Sequence, residues 1–207
     1  EAVPATNIVF RDGNYAIANK RAGVLACGPA SLEAELRASL GLPGLAAVHR
    51  LDRDTTGCLI FALNQVAADA MISIFRERRI DKQYHAIVEG LVKPTHFTID
   101  RPIDGERSVT RVTVLSANRR ASHLLVHIET GRTHQIRRHL LAAGYRLLGD
   151  RAYGAGTEVA PAFRNVPRQM LHASKLRFNH PFSGKEVAVK AALPADFREC
   201  LGGMGLK

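Results

Sequence analysis

The apolar positions of this chain change period several times, and each change marks an element. Residues 8–10 (IVF) and 15–18 (YAIA) are short β-prone runs on either side of Arg11-Asp12-Gly13-Asn14. Asp-Gly between such runs predicts a hairpin. Leu32, Leu36 and Leu40 then recur at helical spacing. Ser31 supplies an N-cap, Glu33 and Glu35 put negative charge in the first turn, and Gly41 supplies the C-cap, so the pattern predicts a short helix. Leu42-Pro43-Gly44 closes it. The run Cys58-Leu59-Ile60-Phe61-Ala62-Leu63 is continuous rather than periodic, and its length suits a buried strand. The polar stretch before it, Val48 to Gly57, reads as a loop or turn delivered by that strand. Ala67, Met71, Ile74 and Arg78 predict one face of a helix over 66–79, and Tyr84 to Glu89 return to an extended pattern.

Further along, 108–114 and 122–129 read as an antiparallel pair around the polar turn Ala117 to Arg120. After Gly131, helical spacing of Ile136, Leu140 and Ala143 runs to Gly144, which reads as a C-cap. Residues 154–168 hold Gly, Pro and Asn without periodicity, an irregular loop that suits a substrate-facing segment or an ordinary surface loop. The stretches 170–178 and 186–192 around His180-Pro181-Phe182-Ser183-Gly184 predict a hairpin, followed by a short helix from Pro194. With no internal repeat and no low-complexity linker, this order of elements predicts one mixed α/β domain, residues 1–207, with a largely antiparallel sheet.

Composition narrows the class. A chain of 207 residues with 46% hydrophobic and 23% charged residues can bury a core, which excludes disorder throughout. The longest apolar stretch falls far short of the ~18 residues of a membrane helix, so no membrane partner is expected. The chain begins at Glu1 without the features of a signal peptide, and a native start upstream is expected. Charge changes the picture most. Lys and Arg number 29 against 19 Asp and Glu, a net +10, which suits either a polyanionic partner or a merely basic soluble protein. Between Arg101 and Arg151 ten arginines face four carboxylates. Arginine suits bidentate phosphate contacts. Cys27, Cys58 and Cys200 are odd in number and widely spaced, which indicates neither a disulfide framework nor a zinc site and fits a reducing cytoplasm.

Candidate chemistry is sparse. No dinucleotide fingerprint, phosphate loop, H-E-x-x-H or EF-hand pattern is present, so no cofactor is expected. His134 and His139 stand five apart, off the spacing that puts two ligands on one helix face, and no metal is expected. No G-x-S-x-G elbow occurs. Carboxylate chemistry is left. Asp52 sits between Arg50 and Arg53 just before the buried strand. By itself it reads either as a cap or Asx-turn, or as a carboxylate held ionised by its neighbours and fit for nucleophilic work.

The segment His49-Arg50-Leu51-Asp52-Arg53-Asp54-Thr55-Thr56-Gly57 resembles the H-R-L-D-x-x-T-S-G signature of the RluA-type RNA pseudouridine synthases, with Thr56 in place of Ser. Four more segments resemble the family in the same order: Lys82-Gln83-Tyr84, Gly131 to Arg137, Leu148 to Gly154, and Leu171-His172-Ala173. The resemblance covers about residues 8–198. Lys20-Arg21-Ala22-Gly23 departs from the family's K-P-A-G, which affects turn stiffness. A sister family begins its signature G-R-L-D, and His49 argues against it.

The resemblance implies an α+β pseudouridine synthase fold, a central, largely antiparallel bent sheet flanked by helices. It implies a cofactor-independent, metal-free monomer that isomerises uridine in structured rRNA or tRNA. Asp52 matches the nucleophile that attacks C1′ while the N-glycosidic bond breaks. Such an attack suits a carboxylate because C1′ becomes oxocarbenium-like. Arg132 matches the arginine that pairs with this aspartate, and Tyr84 the tyrosine that stacks on the base and stands as a candidate acceptor of the C5 proton. Base flipping is implied, because a stacked uridine cannot expose C1′ and C5. Arg50 matches the residue that fills the vacated space, and His134, Arg137 and Arg138 are expected as phosphate contacts at a helix start. Many members carry an S4-like RNA-binding domain, for which this chain has no room before residue 7. An inactive RNA-binding module on the same scaffold is the rival, against which Asp52, Tyr84 and Arg132 argue.

Overall fold

The computed structural model describes residues 7–154 and 159–207, so part of the irregular loop, 155–158, lies outside the described residues. In chain order the elements are β1 (Ile8–Arg11), β2 (Tyr15–Lys20), α1 (Leu32–Leu40), β3 (Ala46–Ala47), β4 (Thr56–Ala62), α2 (Gln65–Arg76) and β5 (Ile80–Glu89). They continue with β6 (His96–Asp100), β7 (Val109–Ala117), β8 (Ala121–Ile128), α3 (Gln135–Ala142), a 3₁₀ turn at Pro161–Phe163, β9 (Leu171–Asn179), β10 (Glu186–Lys190) and α4 (Ala195–Gly203). Helices and antiparallel strand pairs together make an α+β fold. Contacts group the chain into two units, one of Glu1–Asp81 with Ala173–Ala192, the other of Lys82–His172 with Leu193–Lys207.

In the first unit β1 and β2 form the expected hairpin. Gly13 keeps an ordinary φ, and the turn rests on the Asp12 carboxylate, whose Oδ1 accepts the N–H groups of Asn14 and Tyr15 at 2.8 Å each. β2 pairs antiparallel with β4, Tyr15 opposite Ala62 and Lys20 opposite Gly57, and β9 pairs with β10. Every residue of β4 is buried, as a continuous apolar run requires. Gly57 has φ +115°, and a Cβ there would stand 2.1 Å from the Ala173 carbonyl oxygen of β9. α1 has the predicted caps: the Ser31 side chain accepts from Ala34 N–H, and Gly41 is left-handed. α2 stops at Arg76 rather than near 79, because Arg78 turns left-handed and Arg79 N–H returns to the Ile74 carbonyl. Tyr15, Ile17, Ile60, Met71, Ile74 and Phe178 share one core.

In the second unit the strand order is β5-β8-β7-β6, all antiparallel, with Lys82 opposite Ile128 and Tyr84 opposite Val126. A register shift falls between Val114 and Ser116. The β7–β8 turn is closed by the Asn118 side chain, which accepts from Arg120 and Ala121 N–H. Ile87, Leu148, Phe163, Met170, Phe197 and Leu201 form the core. Phe163 and Val166 therefore make the described end of the irregular loop a packing segment.

Candidate active site

Asp52 stands in the loop between β3 and β4, half-buried, with Leu51 buried before it and Arg53 exposed after it. A turn closes there through Thr55 N–H to the Asp52 carbonyl at 3.1 Å. His49 anchors the loop to its strand. Its Nε2 accepts the Ile60 N–H at 2.9 Å, and its ring stacks on Phe75 with centroids 4.9 Å apart. A neutral imidazole accepting at Nε2 carries its proton on Nδ1. The second anchor is Lys20, 1% exposed, whose ammonium donates to the carbonyls of Arg21 (3.0 Å), Val24 (2.8 Å) and Arg53 (2.8 Å). Three carbonyls match the three donors of an ammonium. Arg21, where the family has proline, forms a two-pronged pair with Glu35 that restrains the same turn. Arg50 is exposed.

Tyr84 is buried on β5, on the same sheet face as Lys82 two residues earlier. Lys82 is 7% exposed, and burial pushes its ammonium down to about 8. It donates to the Thr130 carbonyl at 3.1 Å, at the head of the segment Gly131-Arg132-Thr133-His134 that leads into α3. Arg132 Nη2 stands 3.2 Å from Glu106 Oε2, while its Nε is buried without an acceptor among the described residues. His134 takes a left-handed φ of 53° as the α3 N-cap, and its Nδ1 lies 2.8 Å from the Tyr153 hydroxyl.

The expected cluster at the helix start divides. Arg138 is half-buried and grips Asp104 with both ends of its fork at 2.8 Å. Arg137 points inward instead. Its Nε and Nη2 meet the two Asp150 oxygens at 2.7 and 2.9 Å, and its guanidinium lies 4.9 Å from the Tyr153 ring centre. Burial pushes the Asp150 carboxyl up, but Arg137 and the N–H groups of Ala152 and Tyr153 outweigh it and hold the group below its ordinary value. Two of the family-like segments, at 131–137 and 148–154, are therefore docked on each other within the second unit. Lys20, Lys82, Glu106 and Gln135 received no role from the sequence. Lys20, Lys82 and Gln135 stand inside segments singled out there, yet a buried partner that sets a role shows only in three dimensions.

Of the expected site residues, Arg50 and Asp52 belong to the first unit and Tyr84, Arg132, His134, Arg137 and Arg138 to the second. A family described as RNA pseudouridylate synthase matches residues 14–142, a span that holds all seven. A Mycobacterium bovis protein called an uncharacterized RNA pseudouridine synthase is 39% identical over 168 residues, 74% of this chain and 54% of that one. Ribosomal large subunit pseudouridine synthase D of Buchnera aphidicola subsp. Acyrthosiphon pisum is 34% identical over 228 residues, 94% of this chain and 72% of that one. The chain thus spans about half the length of the mycobacterial relative. Among solved structures, human RNA Pseudouridylate Synthase Domain Containing 1 superposes with a TM-score of 0.78 at 31% identity, covering 94% of this chain and 87% of that one. The human Domain Containing 4 protein, at 23% identity, shares the fold with a TM-score of 0.82 over 97% of this chain and 94% of its own. The chain belongs to the RNA pseudouridine synthases. Within them its signature and its relatives place it in the RluA-type family.

Proposed function

We propose that this protein is an RNA pseudouridine synthase in which Asp52 attacks C1′ of a flipped uridine. The observation that carries this reading is the H-R-L-D signature itself, held on a turn that His49 and Lys20 anchor from two sides. The reaction is an isomerisation. The C1′–N1 bond breaks, the carboxylate stabilises or bonds to C1′, the uracil rotates, and a C1′–C5 bond forms, with any C1′–carboxylate bond breaking to release the free carboxylate, as the C5 proton is lost and N1 gains one. The reaction needs neither a redox partner nor a metal, in keeping with a cofactor-free enzyme. Tyr84 stacks on the base and is the candidate to accept the C5 proton. Arg132 pairs with the carboxylate and orients it, and its buried Nε supports a role that ends in receiving an oxygen, since an unpaired buried donor costs ~1–3 kcal/mol. Relatives named for the ribosomal large subunit favour rRNA over tRNA as substrate. Free thiols at Cys27, Cys58 and Cys200 support a reducing, cytoplasmic setting.

Asp52→Asn is nearly isosteric and removes the charge. It should abolish pseudouridine formation in an RNA stem-loop while melting temperature and RNA affinity stay close to those of the unaltered protein. Turnover by this variant would refute the assignment.

The RNA contacts divide by geometry. Arg50 fills the space that the flipped base leaves, His134 and Arg138 contact phosphates, and Arg137 belongs to the scaffold through Asp150. Arg138→Ala should lower the salt dependence of RNA binding by about one counterion. Arg137→Met should leave that slope unchanged and lower thermal stability.

A further inference from the structure

Arg132 stands on a segment tied down by one buried amide. Gln135, 3% exposed in the first turn of α3, turns its side chain back toward the chain entering its own helix. Its Oε1 accepts the Thr130 hydroxyl at 2.6 Å and the Arg132 backbone N–H at 3.1 Å. Its Nε2 donates to the Val109 carbonyl at 2.9 Å and to the Thr110 hydroxyl at 3.0 Å. A primary amide has two donor hydrogens and two acceptor lone pairs. All four are used, two toward the Arg132 segment and two toward β7. The Thr130 hydroxyl also accepts the Val109 N–H at 3.2 Å, and the Thr130 carbonyl takes the Lys82 ammonium.

An apolar side chain of the same length would fill this space without desolvating an amide, so what the amide adds is direction. Oε1 fixes where the Arg132 main chain starts, and Nε2 fixes Oε1 against β7. We propose that Gln135 is a positioning residue for the reaction, acting through Arg132 by setting the point from which its guanidinium reaches. The inference rests on the reading that Arg132 supports the catalytic step.

The test is a double-mutant cycle on the full chain, reading single-turnover rate at saturating RNA, RNA affinity and melting temperature for Arg132→Met, Gln135→Met and the double variant. Gln135→Met should slow the step by ~10-fold or more, since small misplacements of a catalytic group are costly, with affinity within about 2-fold. The double variant should be no slower than Arg132→Met within about 2-fold, because the two act as one device. A normal rate in Gln135→Met, or a double variant losing the product of the two single losses, overturns the proposal. A normal rate in Arg132→Met overturns the reading beneath it, and that result is visible without any Gln135 variant. Should Gln135→Met fail to fold, Gln135→Glu decides. Its carboxylate still accepts from Arg132 but opposes the Val109 carbonyl, and protonation restores a donor. Its rate relative to the unaltered protein should rise as pH falls through the titration of the new carboxyl. A flat ratio overturns the proposal, because a side chain that only fills space would not respond to that proton.

Discussion

Arg132 carries the sharpest question at the scale of single residues. If it pairs with Asp52 and orients its carboxylate, Arg132→Met should cut the single-turnover rate by ~10²-fold or more while leaving RNA affinity nearly unchanged. If Arg132 is a phosphate contact, the same variant would instead lose affinity and salt dependence at a normal saturating rate. Single residues were unevenly legible in the sequence. Asp52, Tyr84 and Arg132 could be chosen because a motif names a residue type at a fixed spacing. Arg137 could not be separated from Arg138, since neighbouring arginines on a helix look alike until Asp150, thirteen residues on, fills the fork of one of them. Lys20 and Gln135 are equally hidden, because Lys20 works on backbone carbonyls that any residue could supply and Gln135 on a mix of backbone groups and threonine hydroxyls that meet only in the fold.

Elements were legible where their ends are written locally. α1 came out complete because Ser31 and Gly41 are chemically suited to its two ends. The predicted α2 is too long because Arg78 falls on the helical spacing of Ala67, Met71 and Ile74, while its left-handed backbone lies beyond the helix end. β6 went unseen because five alternating residues at a sheet edge carry little hydrophobic signal. β4 was legible as a buried strand, but the close approach that defines its start was not. Gly57→Ala would place a methyl 2.1 Å from a backbone oxygen at a φ that L-residues avoid. The two strands must then separate just where the Asp52 loop enters the sheet. Urea unfolding should show a loss of about 3 kcal/mol or more, combining backbone strain with overpacking, or no folded protein at all.

For the whole molecule, the balance between proton uptake and folding is set by groups that charge composition does not reveal. A net +10 describes the surface, yet the second unit also buries imidazoles. His85 Nδ1 and His123 Nε2 are 2.8 Å apart, and His123 Nδ1 meets the Lys207 carbonyl at 2.9 Å. Burial, then the neighbouring His123 and His172, push His85 down to about 4, and burial lowers His123 as well. Both states are neutral here above pH ~6.5, so stability is full there. As pH falls toward 4 the unfolded chain takes up protons that the folded chain refuses, and stability drops. The contribution of His85 is on the order of 3 kcal/mol at most. His85→Gln should therefore flatten the fall in unfolding free energy between pH 6.5 and 4, and an unchanged slope would remove His85 as its cause. Lys20 offers a matching report on the first unit. With every N–H of its ammonium donated to a carbonyl and 1% of its surface exposed, it has no lone pair to give an acylating reagent. Pulse acetylation read by peptide mass would leave Lys20 unmodified until the unit opens, so the rate at which that one amine becomes acetylated is a clock for opening events around Asp52.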